Sequence, residues 1–493
     1  MQSNMTRCYM LAAALLSGAI IITGSHASAG QAPGAAEVAD IPISSHDRVY
    51  AAEQFSNTVS VTDPFENRLL GVIRLGQPLP ANFSPLYGGQ LLVHGLGFSP
   101  DHHTLAVVSI GSNSVAFIDT ETNSVKHVSY VGRSPHEAFF TPDGKELWVT
   151  VRGENYVLVI DSTSYQEKTR ITLPNGPGMT IFSPDGKYGY VCSSFNPETD
   201  VISVAAHQIV GKVRQESPFC PNIAATPDGS QVWYTLKDVG KTQVFDARPP
   251  FTLLKTLDTG PITNHVNIVR NVHGQFAYIT VGGLNEVKVF RTDGFKQVAT
   301  IPVGHLPHGI WPSGDGTRVY VGLENDDQLA VINTLSNAVI ATVPAGQAAQ
   351  AVVYVPNAVS SGAGTDGLEP LGAAGAAAHF TMGYLGGHRE AGTEAPTSVT
   401  LFEQGLVQML QAAVTGLEPK HPYVLGLADY SDGSGPVEAL ASFMTNPAGS
   451  AIVNSIGPIR QLVQNTASAP RRYLIIAPGT PSQHDTAVQI QLP

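Results

Sequence analysis

A pattern of about 42 residues recurs along most of this chain, and that recurrence limits the folds open to it. Each copy has a tight turn, an apolar run, a polar loop and an alternating run. The turns are Pro100-Asp101-His102, Pro142-Asp143-Gly144, Pro184-Asp185-Gly186 and Pro227-Asp228-Gly229, with weaker copies at Val272-His273-Gly274 and Gly314-Asp315-Gly316. Runs such as Leu147-Trp148-Val149-Thr150 follow the turns, and period-2 runs such as Tyr156-Val157-Leu158-Val159-Ile160-Asp161 follow those. Alternation of this kind is a strand pattern, and Pro-Asp-Gly supplies the turns between strands. Counted six residues before each turn proline or its equivalent, the copies begin at 94, 136, 178, 221, 266, 308 and 350. The spacings are 42, 42, 43, 45, 42 and 42 residues, the period of four-stranded propeller blades.

The ends of the array predict how the ring closes. Gln350–Val355 supplies only an innermost strand, while Val49–Ala52, Thr58–Val61 and Leu70–Ile73 supply three more. Together they complete a seventh blade and remove the open sheet edge. The expected fold class is all-β: a seven-bladed β-propeller over about residues 46–357 and a C-terminal β-sandwich-like domain over 379–493. The Gly-, Ala- and Ser-rich segment 358–378 reads as a linker. In the C-terminal domain Ser398–Phe402, Gln408–Val414, Tyr423–Leu427 and Arg471–Ile476 read as strands, whereas Val437–Met444 and Gly449–Leu462 are candidates for helix. Thr415–Pro419 before Tyr423 resembles the leucine-proline-tyrosine turn of fibronectin-type sandwiches.

The repeats resemble the YVTN-type β-propellers, and YncE-like proteins in particular. Tyr278-Ile279-Thr280-Val281 with Asn285-Glu286-Val287-Lys288-Val289 carries the likeness, as does Asn57-Thr58-Val59-Ser60-Val61-Thr62-Asp63. The resemblance covers about two-thirds of the chain and implies an exported seven-bladed propeller. Family members are mostly of unassigned activity, and some related propellers are lactonases or bind partners. Cys192-Ser193-Ser194-Phe195 and Leu236-Lys237-Asp238 depart from the repeat in blades 3 and 4.

The first residues read as an address. Arg7, the apolar run Leu11–Ile22 and Ala27-Ser28-Ala29 have the order of a signal peptide cleaved after Ala29, so residues 1–29 are expected to be removed. The expected location is the periplasm or the exterior, with no membrane span after cleavage. The formal net charge of −12 argues against broad nucleic-acid binding. With 43% hydrophobic and 13% charged residues, the chain is not a disordered polyelectrolyte. Cys192 and Cys220 fall at the same mouth of neighbouring blades, and oxidising conditions favour a disulfide over the rival reading, a Cys–His metal site.

Chemistry is expected where equivalent blade positions converge. His94, His136 and His308 occupy one register position at the start of the innermost strands, and His265 lies one residue out of register. The loops on the same face add Arg152, Glu154, Lys237, Asp238, Glu324 and Asn325. Three readings stand side by side. The histidines cap neighbouring carbonyls, or they hold a ligand, or one serves as a base. His94, His136 and His308 are the candidate metal set, and a transition metal is the candidate cofactor. Cys-x-x-Cys-His, His-Glu-x-x-His, Gly-x-Ser-x-Gly and Gly-x-x-x-x-Gly-Lys are all absent, which disfavours haem chemistry and the familiar hydrolase motifs. His136-Glu137 stops short of the zinc motif because residue 140 is Phe. The leading expectation is an exported binding propeller whose mouth recognises a small ligand, a metal or an envelope protein. The alternatives are a lactonase-like hydrolase and a structural envelope protein without a small-molecule site.

Overall fold

The computed structural model describes residues 42–76, 91–372, 377–385, 397–405, 407–463 and 470–493. The expected signal peptide lies outside the described residues. Blades 1 to 6 are four-stranded antiparallel sheets whose innermost strands begin at Val93, Pro135, Pro177, Ile223, Thr263 and Pro307. Blade 7 joins Ala349–Val355 to Arg48–Glu53, Thr58–Asp63 and Arg68–Arg74. The register runs from Arg48 opposite Val355 to Ala52 opposite Ala351, so the closure expected from the repeat is the one observed. Each innermost strand contacts its two neighbours, and the seven contacts close a ring.

Burial follows position within the blade. Innermost strands such as Pro135–Phe140 are buried throughout, while outermost strands such as Val125–Tyr130 alternate with solvent. The core lies between blades rather than within them. Phe139, Trp148 and Val157 of blade 2 pack on Met179, Ile181 and Tyr190 of blade 3. The repeated turns share one device. Thr141, Ser183, Thr226 and Ser313 donate to Asp143, Asp185, Asp228 and Asp315 at 2.6–2.7 Å. Gly144, Gly186, Gly229 and Gly316 then take φ of +64 to +71°, and His102 adopts a φ of +66° in blade 1.

A second device aims the innermost strands. Leu92, Ser134, Gly176, Ile262, Leu306 and Ala348, each just before an innermost strand, are left-handed with φ of +50 to +69°. For a residue other than glycine this costs ~1–2 kcal/mol, so the ring must hold it in place. The strands then bulge near their first residues, for example between Pro135 and Ala138 and between Pro307 and Ile310.

The C-terminal domain is all-β. Its strands pair antiparallel in the order Val437–Met444, Pro422–Ala428, Tyr473–Thr480, Gln489–Gln491, Ala377–Tyr384, Thr397–Glu403, Gln408–Val414 and Ala451–Gly457. The first and last strands touch, so one sheet rolls almost closed around Val399, Leu401, Leu410, Leu425 and Ile476. Val437–Met444 and Ala451–Gly457 are strands, which corrects the expectation of helix. They satisfy the edges left by Pro422–Ala428 and Gln408–Val414. Of those segments only Arg460–Val463 makes a helical turn.

The glycine-rich segment after blade 7 is held along the propeller's flank. Val72 and Glu369 exchange amide–carbonyl bonds of 2.8 and 2.9 Å, and the Asn123 side-chain amide donates to the carbonyls of Gly364 and Asp366. This strap carries the chain from the face where Val355 ends to the opposite mouth.

Two stability predictions follow from this framework. Cys192 and Cys220 form a disulfide with Cα atoms 6.0 Å apart that links blades 3 and 4 across 28 residues. Replacing both with Ala should lower unfolding stability by about 3 kcal/mol in urea titrations. Glu53 is fully buried, accepting from the Thr58 hydroxyl at 2.6 Å and the Ser60 amide at 3.0 Å. Burial pushes its carboxyl from 4.5 up to about 7, against the pull of those hydrogen bonds. Below pH 4.5 the folded and unfolded chains both hold this proton, and between 4.5 and about 7 only the folded chain does. Its contribution is therefore lost as pH rises, at ~1.4 kcal/mol per unit across that window. Glu53→Gln should flatten this decline, read as the difference in urea midpoint between pH 5 and pH 8 buffers.

Candidate functional site

The bulges decide which side chains reach the axis. Strict alternation would send His136 and Glu137 to opposite faces. The irregularity between Pro135 and Ala138 breaks that alternation, and both residues turn inward. The same irregularity between Thr263 and Val266 brings His265 to the mouth despite its shifted register. His94, His136, His265, His308, Glu137 and Glu324 are all at most 6% exposed. The ring centroids of His94 and His136 are 4.5 Å apart, those of His265 and His308 4.7 Å, and those of His94 and His308 6.3 Å. Four histidines from blades 1, 2, 5 and 6 thus form one cluster.

Within it two halves differ. In the first, His136 Nδ1 bonds the Gly178 carbonyl at 2.8 Å, which fixes its ring and leaves Nε2 free. His94 Nδ1 stands 4.0 Å from Glu137 Oε1, and neither atom has a hydrogen-bond partner. In the second, His308 Nδ1 lies 2.9 Å from Glu324 Oε2, an ion-pair distance without hydrogen-bond geometry. His265 Nε2 is buried without a partner. The capping role expected of these histidines therefore describes His136, while His308 faces a carboxylate.

Burial sets the charge states. It holds His94 and His136 well below 6.5, helped by Arg152. It lowers His265 likewise, helped by the neighbouring His308. Burial also lowers His308, with Glu324 pulling back. Burial pushes Glu137 up to about 8 against Arg152, and lowers Arg152 to about 10 against Glu137. Lys237 is lowered by burial against Glu324 and Asp238. Glu324 goes the other way: burial would raise it, but His308 and Lys237 outweigh that and keep it low. Near neutral pH burial favours neutral imidazoles at His94, His136 and His265 and a protonated Glu137, while His308 and Glu324 each pull the other toward its charged form.

The C-terminal domain roofs this mouth. Phe402 and Met409 pack on Phe55 and Ala348, with the Phe55 and Phe402 rings 5.2 Å apart. Ala413 packs on Ile262 and Leu306. Thr400 Oγ1 donates to the Asn325 carbonyl at 2.8 Å, and the Ala448 amide to the Asp238 carbonyl at 3.1 Å. The Gln411 amide donates to Glu324 itself. A chamber of about 190 Å³ remains, lined by His94, His136, His308, Arg152, Lys237 and Glu324, with Gln411, Ile452 and Asn454 above. Among the described residues these roof contacts fall on blades 4 to 7. Arg152, Ile110, Phe219 and Lys237, all partly exposed, mark the other side.

Asn325 is engaged by the roof rather than turned to the chamber. Glu154 accepts the Arg133 amide at 2.8 Å on the rim, and His305 pairs with Asp326 at 2.8 Å there. Sequence reasoning missed Glu137 and Gln411 as participants. Only the bulge reveals Glu137, and only the docked domain reveals Gln411.

Comparison with known proteins agrees with the propeller. The family model described as "Lactonase, 7-bladed beta-propeller" matches residues 111–339, somewhat under half of the chain. No curated protein matches. A functionally unknown protein from Desulfotomaculum acetoxidans DSM 771 superposes with a TM-score of 0.52 at 16% identity, over 62% of this chain and 98% of that one. Hydrazine synthase of Kuenenia stuttgartiensis reaches 0.48 at 21% identity, over 54% of this chain and 90% of that one. At such identities the likeness concerns the fold. The chain is a seven-bladed propeller protein, and the matching model supports a propeller family.

Gly95 tests how tightly the mouth is built. A Cβ there would meet the His136 backbone oxygen and the Glu137 carboxylate. Gly95→Ala should lower stability by about 1–3 kcal/mol through overpacking, read as a drop in urea midpoint.

Proposed function

We propose that this chain is an exported hydrolase of the lactonase type, acting on a small acidic lactone inside the roofed mouth. The observation that carries the reading is the His308–Glu324 pair, 2.9 Å apart in a chamber that also presents Arg152 and Lys237. The family match supports it, because residues 111–339 include His136, Arg152, Lys237, His265, His308 and Glu324. The Cys192–Cys220 disulfide and the N-terminal address support export, and a YncE-like affiliation belongs to the same reading.

The chemistry needs only ordinary parts. His308, neutral because buried, takes a proton from water while the Glu324 carboxylate 2.9 Å away stabilises the imidazolium. The hydroxide adds to the lactone carbonyl. The ring C–O bond then breaks, and the leaving alkoxide takes the proton back from His308, giving a hydroxy acid. Arg152 and Lys237 hold the substrate carboxylate or the developing oxyanion. The chamber is smaller than the ~300–1,000 Å³ of drug-sized sites, which selects compact substrates.

One observation favours binding without turnover. Gln411 already donates to Glu324, and a roof tied to the base's partner suits a ligand that is held. A screen of carboxylated and neutral five- and six-membered lactones separates the two readings. Hydrolysis is expected for the acidic compounds, with kcat falling by about 10²–10⁴-fold in His308→Asn and KM rising in Arg152→Gln. Saturable binding without turnover would leave a binding propeller in its place.

A further inference from the structure

The first half of the cluster has no task in that hydrolysis, and its chemistry is of another kind. Donor atoms of His94, His136 and Glu137 all lie within 4.8 Å of one another, and all three residues are buried. We propose that His94, His136 and Glu137 form a binding site for a divalent first-row transition-metal cation of borderline softness, with Zn²⁺ as the reference ion. Two imidazoles and one carboxylate suit such a cation, and three protein ligands leave a coordination position open.

Three independent features support the assignment. His136 is already set up as a metal ligand is, its Nδ1 hydrogen-bonded to the Gly178 carbonyl and its Nε2 unbound. His94 Nδ1 and Glu137 Oε1 face each other 4.0 Å apart, buried and without partners. Buried polar atoms are normally satisfied, so two such atoms turned toward one point ask for a shared ligand. The Leu96 amide pulls on the same carboxyl, yet Glu137 Oε1 keeps no partner.

Distance and charge set the conditions. Bonds of ~2.0–2.2 Å in a tetrahedral site place donors ~3.3–3.5 Å apart, so the group must close by about an ångström. Arg152 acts on Glu137 and opposes a nearby cation. The cation therefore needs the Glu137 carboxylate charge and favours an anion at the open position. His308 stands apart from this group, its Nδ1 facing Glu324.

The test uses the full-length, disulfide-intact protein stripped with chelator. Zn²⁺ binding is measured by equilibrium dialysis, and Co²⁺ by its visible d–d bands. One ion per chain is expected. His94→Gln and Glu137→Gln should each weaken binding by more than the ~10–100-fold that an outer-shell change produces. The exposed His103→Gln should bind as the parent does. Zn²⁺ should raise Tm in the parent and in His103→Gln but not in Glu137→Gln, whose near-identical shape keeps the fold. No saturable binding, or one ion per chain that survives both His94→Gln and Glu137→Gln, overturns the assignment. A chain that binds one Zn²⁺ yet opens no lactone keeps this site and loses only the hydrolytic reading. Lactone hydrolysis by a chain that binds no ion does the reverse.

Discussion

The antiparallel pairing of Arg48–Glu53 with Ala349–Val355 turns six blades and two fragments into a ring. An open array would expose the last blade's backbone edge and leave its apolar face uncovered. Closure removes both costs and brings seven innermost strands around one axis. Everything chemical in the molecule depends on that convergence. Residues separated by more than 200 positions, such as His94 and His308, meet edge to face at 6.3 Å because their strands start at equivalent points on the ring.

Convergence creates an electrostatic difficulty that the second domain sharpens. Imidazoles, carboxylates and two cations meet in a space then covered by Phe402, Met409 and Gln411. Taking such groups out of water disfavours whichever form is charged. Hence the histidines stay neutral and Glu137 keeps its proton, whereas Glu324 stays ionised beside His308 and Lys237. Two carboxyl groups at one hub thus differ in charge because their neighbours differ. That separation gives the mouth one half suited to proton transfer and one half with donors left to fill.

Much of this was legible in the residues. The spacing of the Pro-Asp-Gly turns predicted the blades, and the split of blade 7 between the two chain ends predicted the closure. In-register His94, His136 and His308 marked the mouth. Glu137 was invisible because alternation assigns it to the opposite face from His136, and the bulge that overrides alternation leaves no mark in composition. Val437–Met444 was ambiguous because Ala439, Leu440, Ala441 and Met444 suit a helix while Val437 and Phe443 suit a strand. The partner strand Pro422–Ala428 decided it. The glycine-rich strap reads as a loose linker because nothing in its side chains predicts that its backbone pairs with Val72.

The sequence by itself determined the repeat, the number of blades and the side chains offered to the hub. Those follow from periodicity, a local property that every copy restates. Only the tertiary structure decided that the mouth is roofed, that Gln411 reaches Glu324, and that His94, His136 and Glu137 leave donor atoms facing a common point. These depend on bulged strands and on the docking of one domain on another. Such contacts join positions far apart in the chain, and no local pattern encodes the distance between them.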